Sequence, residues 1–386
     1  MDARTMSHPR DDLRWMRRAL SLARRGEGFT RPNPPVGAVV VENGAPLGEG
    51  WHRAAGQPHA EVEAFAACPR PPSPDATLYV TLEPCSTAGR TPPCTDLILR
   101  SGIRRVVAAC PDPNPDHAGR GFDLLRAAGV AVEVGLCRAE AEALVRPFAT
   151  RLLRGRPFLT LKLAMTLDGR IADRDGSSRW ITGPKARAWV QRLRRRCDAV
   201  MVGAGTVRAD DPSLLCRLRG APRDAWRVVV DGRGRIPPHA RVLGDAAAAR
   251  TVVATASAPS HDRLREWTAR GARVWTMPDP NAPRQIDLPA LLRRLGDEGL
   301  LHVLCEGGGV LAGSLLRSGL VDELALFYAP KLLGDARARP GIAGLDLLLA
   351  DALALETPAA RRLGDDWLFT IPVSRANAGE TAPDGA

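Results

Sequence analysis

Three residues able to bind a soft metal ion stand far apart in this chain: His59, Cys85 and Cys94. A fold that unites them must turn the segment after His59 back on itself, so this spacing limits the architecture more than any other feature. One imidazole and two thiolates supply three of the four ligands of a tetrahedral zinc and leave the fourth position for a water. A closed structural site needs a fourth protein ligand. The local candidates, Cys68 and His52, lie outside the pattern His59-Ala60-Glu61 … Pro84-Cys85. Glu61 argues for the open site, because a Glu two residues from the His, in H-x-E … P-C, carries protons in zinc deaminases without binding the metal. Zinc brings its water to a pKa of roughly 7, so a hydroxide is on hand at neutral pH to attack an amino-bearing ring carbon, and ammonia leaves. His59, Cys85 and Cys94 are therefore read as metal ligands and Glu61 as the catalytic residue.

The residues around the motif predict how it is held. Leu13, Met16, Leu20 and Ala23 recur at helical spacing over 11–25, with Asp11 as N-cap and Gly26 as stop. Pro32 to Pro35 force an extended turn, and Val36 to Val41 read as a buried strand that ends in the hairpin signal Asn43-Gly44. His59 is expected to open a helix through Ala67, with His59 and Glu61 in its first turn. Leu78 to Leu82 form a strand, and Pro84-Cys85 are expected to begin the next turn and helix, whose N-terminus favours thiolate at Cys85. Further strands at 103–109 and 130–134 flank a helix over 122–127. Alternating strands and helices around a mixed sheet fit an α/β/α sandwich. Cys110 and Cys137 are expected to be buried thiols. The loop residue His52 is open to two readings, a contact to substrate phosphate or a structural or solvated histidine.

Many deaminases close the site with C-x-x-C, whereas eight residues separate Cys85 from Cys94 here. His59-Ala60-Glu61, Glu83-Pro84-Cys85-Ser86, Gly89-Arg90-Thr91-Pro92-Pro93-Cys94 and the upstream Pro32-Asn33-Pro34-Pro35-Val36-Gly37 resemble the deaminase half of the bifunctional riboflavin-biosynthesis deaminase/reductase family. The Gly-Arg-Thr-Pro-Pro-Cys ending is not shared by generic cytidine or tRNA adenosine deaminases. The resemblance implies a cytidine-deaminase-like α/β/α sandwich and a pyrimidine-ring contact from Asn33. Thr87 stands where the family usually has His, and Asp116-His117 depart from it in the loop after Pro111.

A chain of 386 residues exceeds one ordinary domain. The boundary is expected between Arg146 and Pro157, a short helical stretch ended by a breaker, which gives domains of 1–150 and 157–374 and a polar tail, 375–386, expected to be disordered. From Phe158 to Met165 a strand begins the second domain, and Lys162 lies inside it. All but three of the 54 basic residues are arginine, so a lysine in an apolar strand suggests a compact ammonium, here read as substrate-binding. A helix through Arg194 follows, then Gly203-x-Gly205, which lacks the third glycine and distant acid of a dinucleotide-binding Rossmann motif. Leu300 to Cys305 read as a strand, Glu306 to Gly309 as a glycine turn and Val310 to Arg317 as a helix whose N-terminus suits an anion. Strands are also expected at 226–231, 251–255, 273–276 and 323–328.

Lys162-Leu163-Ala164 with Leu167-Asp168-Gly169, Trp180-Ile181-Thr182, Gly203 through Thr206-Val207 to Asp210-Asp211-Pro212, and Glu306-Gly307-Gly308 resemble the reductase half of the same family, which is dihydrofolate-reductase-like in fold. The resemblance implies NADPH contacts at Ala164, Trp180, Thr206, Asp210, Gly308, Gly309, Val310, Leu311, Ala312, Gly313 and Ser314. It implies substrate contacts at Ser178, Arg194, Leu214, Arg217 and Glu306, of which Arg194 and Arg217 suit a 5′-phosphate clamp. The implied activities are deamination of 2,5-diamino-6-ribosylamino-4(3H)-pyrimidinone 5′-phosphate and reduction of the product's ribosyl group to ribityl. Lys162, Asp210 and Glu306 are the candidate acids of the second step.

A net charge of +11 invites a nucleic-acid partner, but the arginines are scattered and aromatic residues make up only 4% of the chain. No apolar run approaches the roughly 20 residues of a membrane helix. The opening residues lack a secretory core, so a cytoplasmic protein with reduced cysteines is expected, and one that binds no nucleic acid or membrane. The resemblance to a reductase fold that often pairs implies a homo-oligomer. Two other readings are a zinc nucleobase or tRNA deaminase fused to an unrelated reductase-like domain, and a basic zinc-bearing nucleic-acid-binding protein.

Overall fold

The computed structural model describes residues 9–88, 92–222 and 224–373, with backbone alone at 9 and 10. The expected disorder of 375–386 and the Gly89-Arg90-Thr91 part of the motif lie outside these residues. The chain divides at Gly155/Arg156 into two compact units.

In the first unit the elements run α1 (Pro9–Ala23), β1 (Gly37–Glu42), β2 (Ala45–Trp51), α2 (Ala60–Ala66), β3 (Thr77–Val80), α3 (Cys94–Ser101), β4 (Arg105–Ala108), α4 (Arg120–Ala127), β5 (Ala131–Val134) and α5 (Arg138–Arg154). Five strands form one sheet in the order β2-β1-β3-β4-β5. Pairing is antiparallel from β2 to β3 and parallel from β3 to β5. Asn43 and Gly44 take φ of 51° and 72°, the left-handed pair that a tight hairpin turn demands, as the dipeptide predicts. Side chains alternate across the sheet: Val39, Val41 and Tyr79 pack with α1 and α5, while Ala38, Val40, Leu78 and Val80 pack with α2, α3 and α4. Covered on both faces, β1 is buried throughout, which explains its unbroken apolar run.

Two local expectations need correction. The stretch before the boundary is not a short helix but the end of the 17-residue α5, which carries Pro147 internally. Burial of Ala141, Leu144 and Val145 on one face, with Thr150 buried farther along, offsets a proline cost of about 3 kcal/mol. Cys137 is half-buried rather than buried, at φ 57° just before that helix, whereas Cys110 is buried as expected.

The second unit comprises β6 (Phe158–Thr166), β7 (Arg170–Ala172), α6 (Pro184–Arg196), β8 (Ala199–Gly203), α7 (Ala204–Asp210), β9 (Trp226–Val230), β10 (Thr251–Thr255), α8 (His261–Ala269), β11 (Arg273–Thr276), α9 (Leu288–Asp297), β12 (His302–Cys305), α10 (Gly309–Arg317), β13 (Glu323–Ala329), β14 (Arg339–Pro340), β15 (Ala359–Leu363) and β16 (Asp366–Pro372). Nine strands form a sheet in the order β11-β10-β9-β8-β12-β6-β13-β16-β15. Its seven strands from β11 to β13 are parallel, and β16 and β15 extend it antiparallel. Because β8, β12 and β6 are parallel neighbours, Gly203, Cys305 and the end of β6 reach one sheet edge, where ligands of such sheets bind.

Candidate active sites

In the first unit His59 precedes α2 in extended backbone, φ −69° and ψ 164°, and Glu61 lies in the helix's first turn. The expectation that Cys85 starts a helix fails. The described residues 84–88, 92 and 93 hold no helix, as Pro84, Pro92 and Pro93 favour extended backbone, and α3 begins at Cys94 with Pro93 as its N-cap. The helix N-terminus still serves Cys85, since the Cys94 N–H donates to its Sγ at 3.3 Å. The His59 Nδ1 atom lies 3.5 Å from Cys85 Sγ and 3.4 Å from Cys94 Sγ, and all three ligand atoms lie within 4.8 Å of one another. A tetrahedron with zinc–sulfur bonds of ~2.3 Å and zinc–nitrogen bonds of ~2.0 Å has sulfur–nitrogen edges of about 3.5 Å, so the donor set fits zinc. Hydrogen bonding to Cys94, and then to His59, pulls the Cys85 thiol down against burial, while the same bond and burial push Cys94 up. Glu61 is 4% exposed, and burial, then the charge on Cys85, pushes its carboxyl up to about 7.

His52 resolves as a positioning group. It is 2% exposed, and burial lowers its pKa, so the ring is neutral. Its Nδ1 lies 3.0 Å from the Pro58 carbonyl, which only accepts, so Nδ1–H donates and Nε2 accepts from Asn33 Nδ2 at 3.1 Å. Asn33 thus has its amide nitrogen held and its oxygen directed by a residue seven before the zinc ligand. Ser86 and Thr87, after Cys85, border a cleft of about 520 Å³ with Arg120, Asp123, Leu124 and Ala127. Asp116 and His117 only close a turn: the Asp116 N–H donates to Asn114 Oδ1 and the His117 N–H to the Asn114 carbonyl. Glu83 is a residue the sequence reading missed. Its buried carboxylate accepts from the N–H groups of Asp112, Gly119 and Gly121 at 3.0, 2.9 and 2.8 Å, tying that loop to the zinc segment.

In the second unit a cleft of about 320 Å³ is bordered by Ser178, Thr206, Asp210, Gly308, Gly309, Val310 and Leu311, together with Ile171, Gly176 and Arg339. Ser178 Oγ donates to Asp210 Oδ1 at 3.1 Å. Val310, on the cleft border, is 75% exposed. Trp180, outside that border, is 60% exposed with the Arg187 guanidinium 4.4 Å from its ring centroid. Gly307 takes φ 81°, and Gly308 caps α10 with an open backbone. These features fit a dinucleotide phosphate on the amides of the glycine turn. Ala312 and Gly313 are instead buried in the face of α10 away from solvent, and the Ser314 hydroxyl donates to the Val310 carbonyl. Ala164 is half-buried on β6, packed with Phe327 and Leu368.

Behind this cleft the substrate residues form an ion cluster. Arg194 clamps Glu306 with Nε and Nη2 at 2.6 and 3.0 Å and donates Nη1 to the Leu215 carbonyl. Lys162 Nζ lies 3.8 Å from Glu306 Oε2. Burial alone raises the Glu306 carboxyl, but Arg194 and Lys162 outweigh it and hold the group at about 2. Burial lowers the Lys162 pKa, opposed by Glu306 and aided by Arg194. Of the two expected phosphate-clamp residues, Arg194 pairs with Glu306, and Arg217 is exposed with its charge also acting on Glu306. Both Glu306 oxygens accept from Arg194, and each keeps a second lone pair. Leu214 is 3% exposed at φ 60°, and its side chain packs in the core.

Two family models match the chain: the RibD C-terminal domain over residues 157–369, and the cytidine and deoxycytidylate deaminase zinc-binding region over residues 9–110. The riboflavin biosynthesis protein RibD of Escherichia coli is 42% identical over 92% of this chain and 97% of its own length. That of Aquifex aeolicus is 40% identical over 93% and 97%. Among solved structures, Acinetobacter baumannii RibD superposes with a TM-score of 0.81 at 37% identity, covering 95% of this chain and 99% of that one. A diaminohydroxyphosphoribosylaminopyrimidine deaminase/5-amino-6-(5-phosphoribosylamino)uracil reductase from Thermotoga maritima gives 0.82 at 35%, with the same coverage.

Proposed function

The chain belongs to the RibD family of bifunctional riboflavin-biosynthesis deaminase/reductases, and from that premise we propose which of its residues perform each reaction. The fold is a cytidine-deaminase-like sandwich followed by a dihydrofolate-reductase-like domain, and the cofactors are zinc and NADPH. The enzyme deaminates the diaminopyrimidinone ribosyl phosphate and then reduces the ribosyl group of the aminouracil product.

Residues 1–150 carry the deaminase and 157–374 the reductase. His59, Cys85 and Cys94 hold zinc, which supplies an acidified water at neutral pH. Glu61 takes the two protons of the attacking water in turn and passes one to the ring nitrogen and the other to the departing amine, a task suited to a carboxyl near 7. Asn33, steadied by His52, presents its amide oxygen to the pyrimidine edge. The observation that carries this reading is the convergence of one imidazole, two sulfurs and a buried Glu outside the donor set.

In the reductase cleft NADPH supplies hydride. Gly308 and Gly309 would hold its phosphates and Trp180 and Val310 its apolar part, in the cleft that Thr206 and Asp210 border. Hydride reaching the sugar's C1′ requires a proton for the ring oxygen as the C1′–O4′ bond opens. We assign that proton to Lys162, whose ammonium lies 3.8 Å from Glu306 and whose charge Glu306 and Arg194 tune. Arg217 takes the 5′-phosphate and Ser178 a sugar hydroxyl. The enzyme works in the cytoplasm as a homo-oligomer without nucleic acid, a reading supported by its eight free cysteines and scattered arginines. Among the described residues no helix is long and apolar enough to cross a membrane.

Glu61→Gln tests the first head. Zinc content and NADPH oxidation with the deaminated substrate should be retained while ammonia release falls about 10²–10⁴-fold. Retained ammonia release removes Glu61 from the mechanism.

A further inference from the structure

We propose that Arg339 binds the diphosphate of the reductase cofactor, an inference that rests on the placement of NADPH in the cleft given above. Arg339 belongs to the two-residue β14, whose pairing with β7 sets it opposite Ala172 and brings it to the cleft. The backbone there is packed against the start of α10: a Cβ on Gly309 would stand 2.4 Å from the Pro340 carbonyl oxygen. Arg339 and the open amides of the glycine turn therefore border the same space. Its guanidinium lies over Gly176, where a Cβ would approach Nη2 to 2.7 Å, so glycine at that position leaves the arginine its place.

The neighbouring arginines are engaged elsewhere. Arg174 and Arg337 share Asp335, Arg179 reaches Asp210, and Arg170 donates to the Ala338 carbonyl. Among the described residues Arg339 pairs with no carboxylate. A diphosphate carries two negative charges, more than amide dipoles neutralise, and a guanidinium beside them adds charge-assisted hydrogen bonds. The cofactor's other phosphoryl group, the 2′-phosphate, is absent from NADH, so the two assignments separate by experiment.

The test uses the full chain with Arg339→Ala and Arg339→Lys, and reads equilibrium binding of NADPH and of NADH by the fluorescence of the reduced nicotinamide without substrate. Loss of Arg339 should weaken both cofactors by a similar factor, roughly tenfold to a hundredfold. Lysine should restore part of the affinity, and ammonia release by the other head should stay unchanged. Unchanged affinity for both cofactors overturns the proposal. Weakening confined to NADPH also overturns it, because Arg339 would then read the 2′-phosphate. If the unsubstituted protein binds neither cofactor, the placement of NADPH itself fails, a result distinct from either outcome for Arg339.

Discussion

Lys162, Glu306 and Arg194 show how much of a site a single residue's identity conveys. The rarity of lysine in this chain marked Lys162 as unusual, and the short motif around Glu306 marked a ligand turn. That Arg194 is held by Glu306 was hidden, because they meet only where α6 packs against β12, more than a hundred residues on in the sequence. The zinc ligands were legible because their chemistry needs those residue types, whatever bridges them. With Lys162 as proton donor, Lys162→Met should lower reductase kcat about 10²–10⁴-fold while NADPH affinity holds; turnover within twofold of the parent removes that role. Glu306 carries a pH signature as well. Its folded-state pKa, about 2, lies below the ordinary 4.5, so its stabilisation is complete above roughly pH 4.5 and is lost as pH falls toward 2. Urea midpoints measured from pH 6 to 3 should decline less steeply in Glu306→Gln than in the parent, even though that variant starts lower at pH 6. Parallel declines would assign the acid sensitivity to other carboxylates.

At the scale of elements, apolar periodicity found α1, β1, β6 and β10, which bury whole faces. It gave no sign of β15 and β16, whose pairing forms an edge hairpin with β15 almost wholly exposed. It also misplaced the start of α3, where three prolines delay the helix to Cys94. Glycines divide by what surrounds them. A Cβ on Gly313 would stand 1.8 Å from the Ala343 carbonyl oxygen, so α10 and the 340s loop touch only because that position is bare. Gly205, inside α7, has nothing within 4 Å. Gly313→Ala should therefore cost about 1–3 kcal/mol, and Gly205→Ala should be neutral or stabilise by about 0.4–1 kcal/mol. Thermal midpoints of the two variants measure this directly, and an unshifted midpoint in Gly313→Ala contradicts the tight approach.

The whole molecule is two units with two independent sets of motifs, which is why both heads could be read from one sequence. The zinc ligands and Glu61 fall before Gly155, and the residues that border the reductase cleft fall after Arg156. Metal removal should then stop one reaction and spare the other. The most direct measurement is NADPH oxidation by the purified protein given the diaminopyrimidinone ribosyl phosphate, before and after a chelator strips zinc, with the already deaminated compound in parallel. Oxidation should be lost on chelation with the first substrate and persist with the second. Failure of both substrates to consume NADPH while zinc is present contradicts the two-headed account.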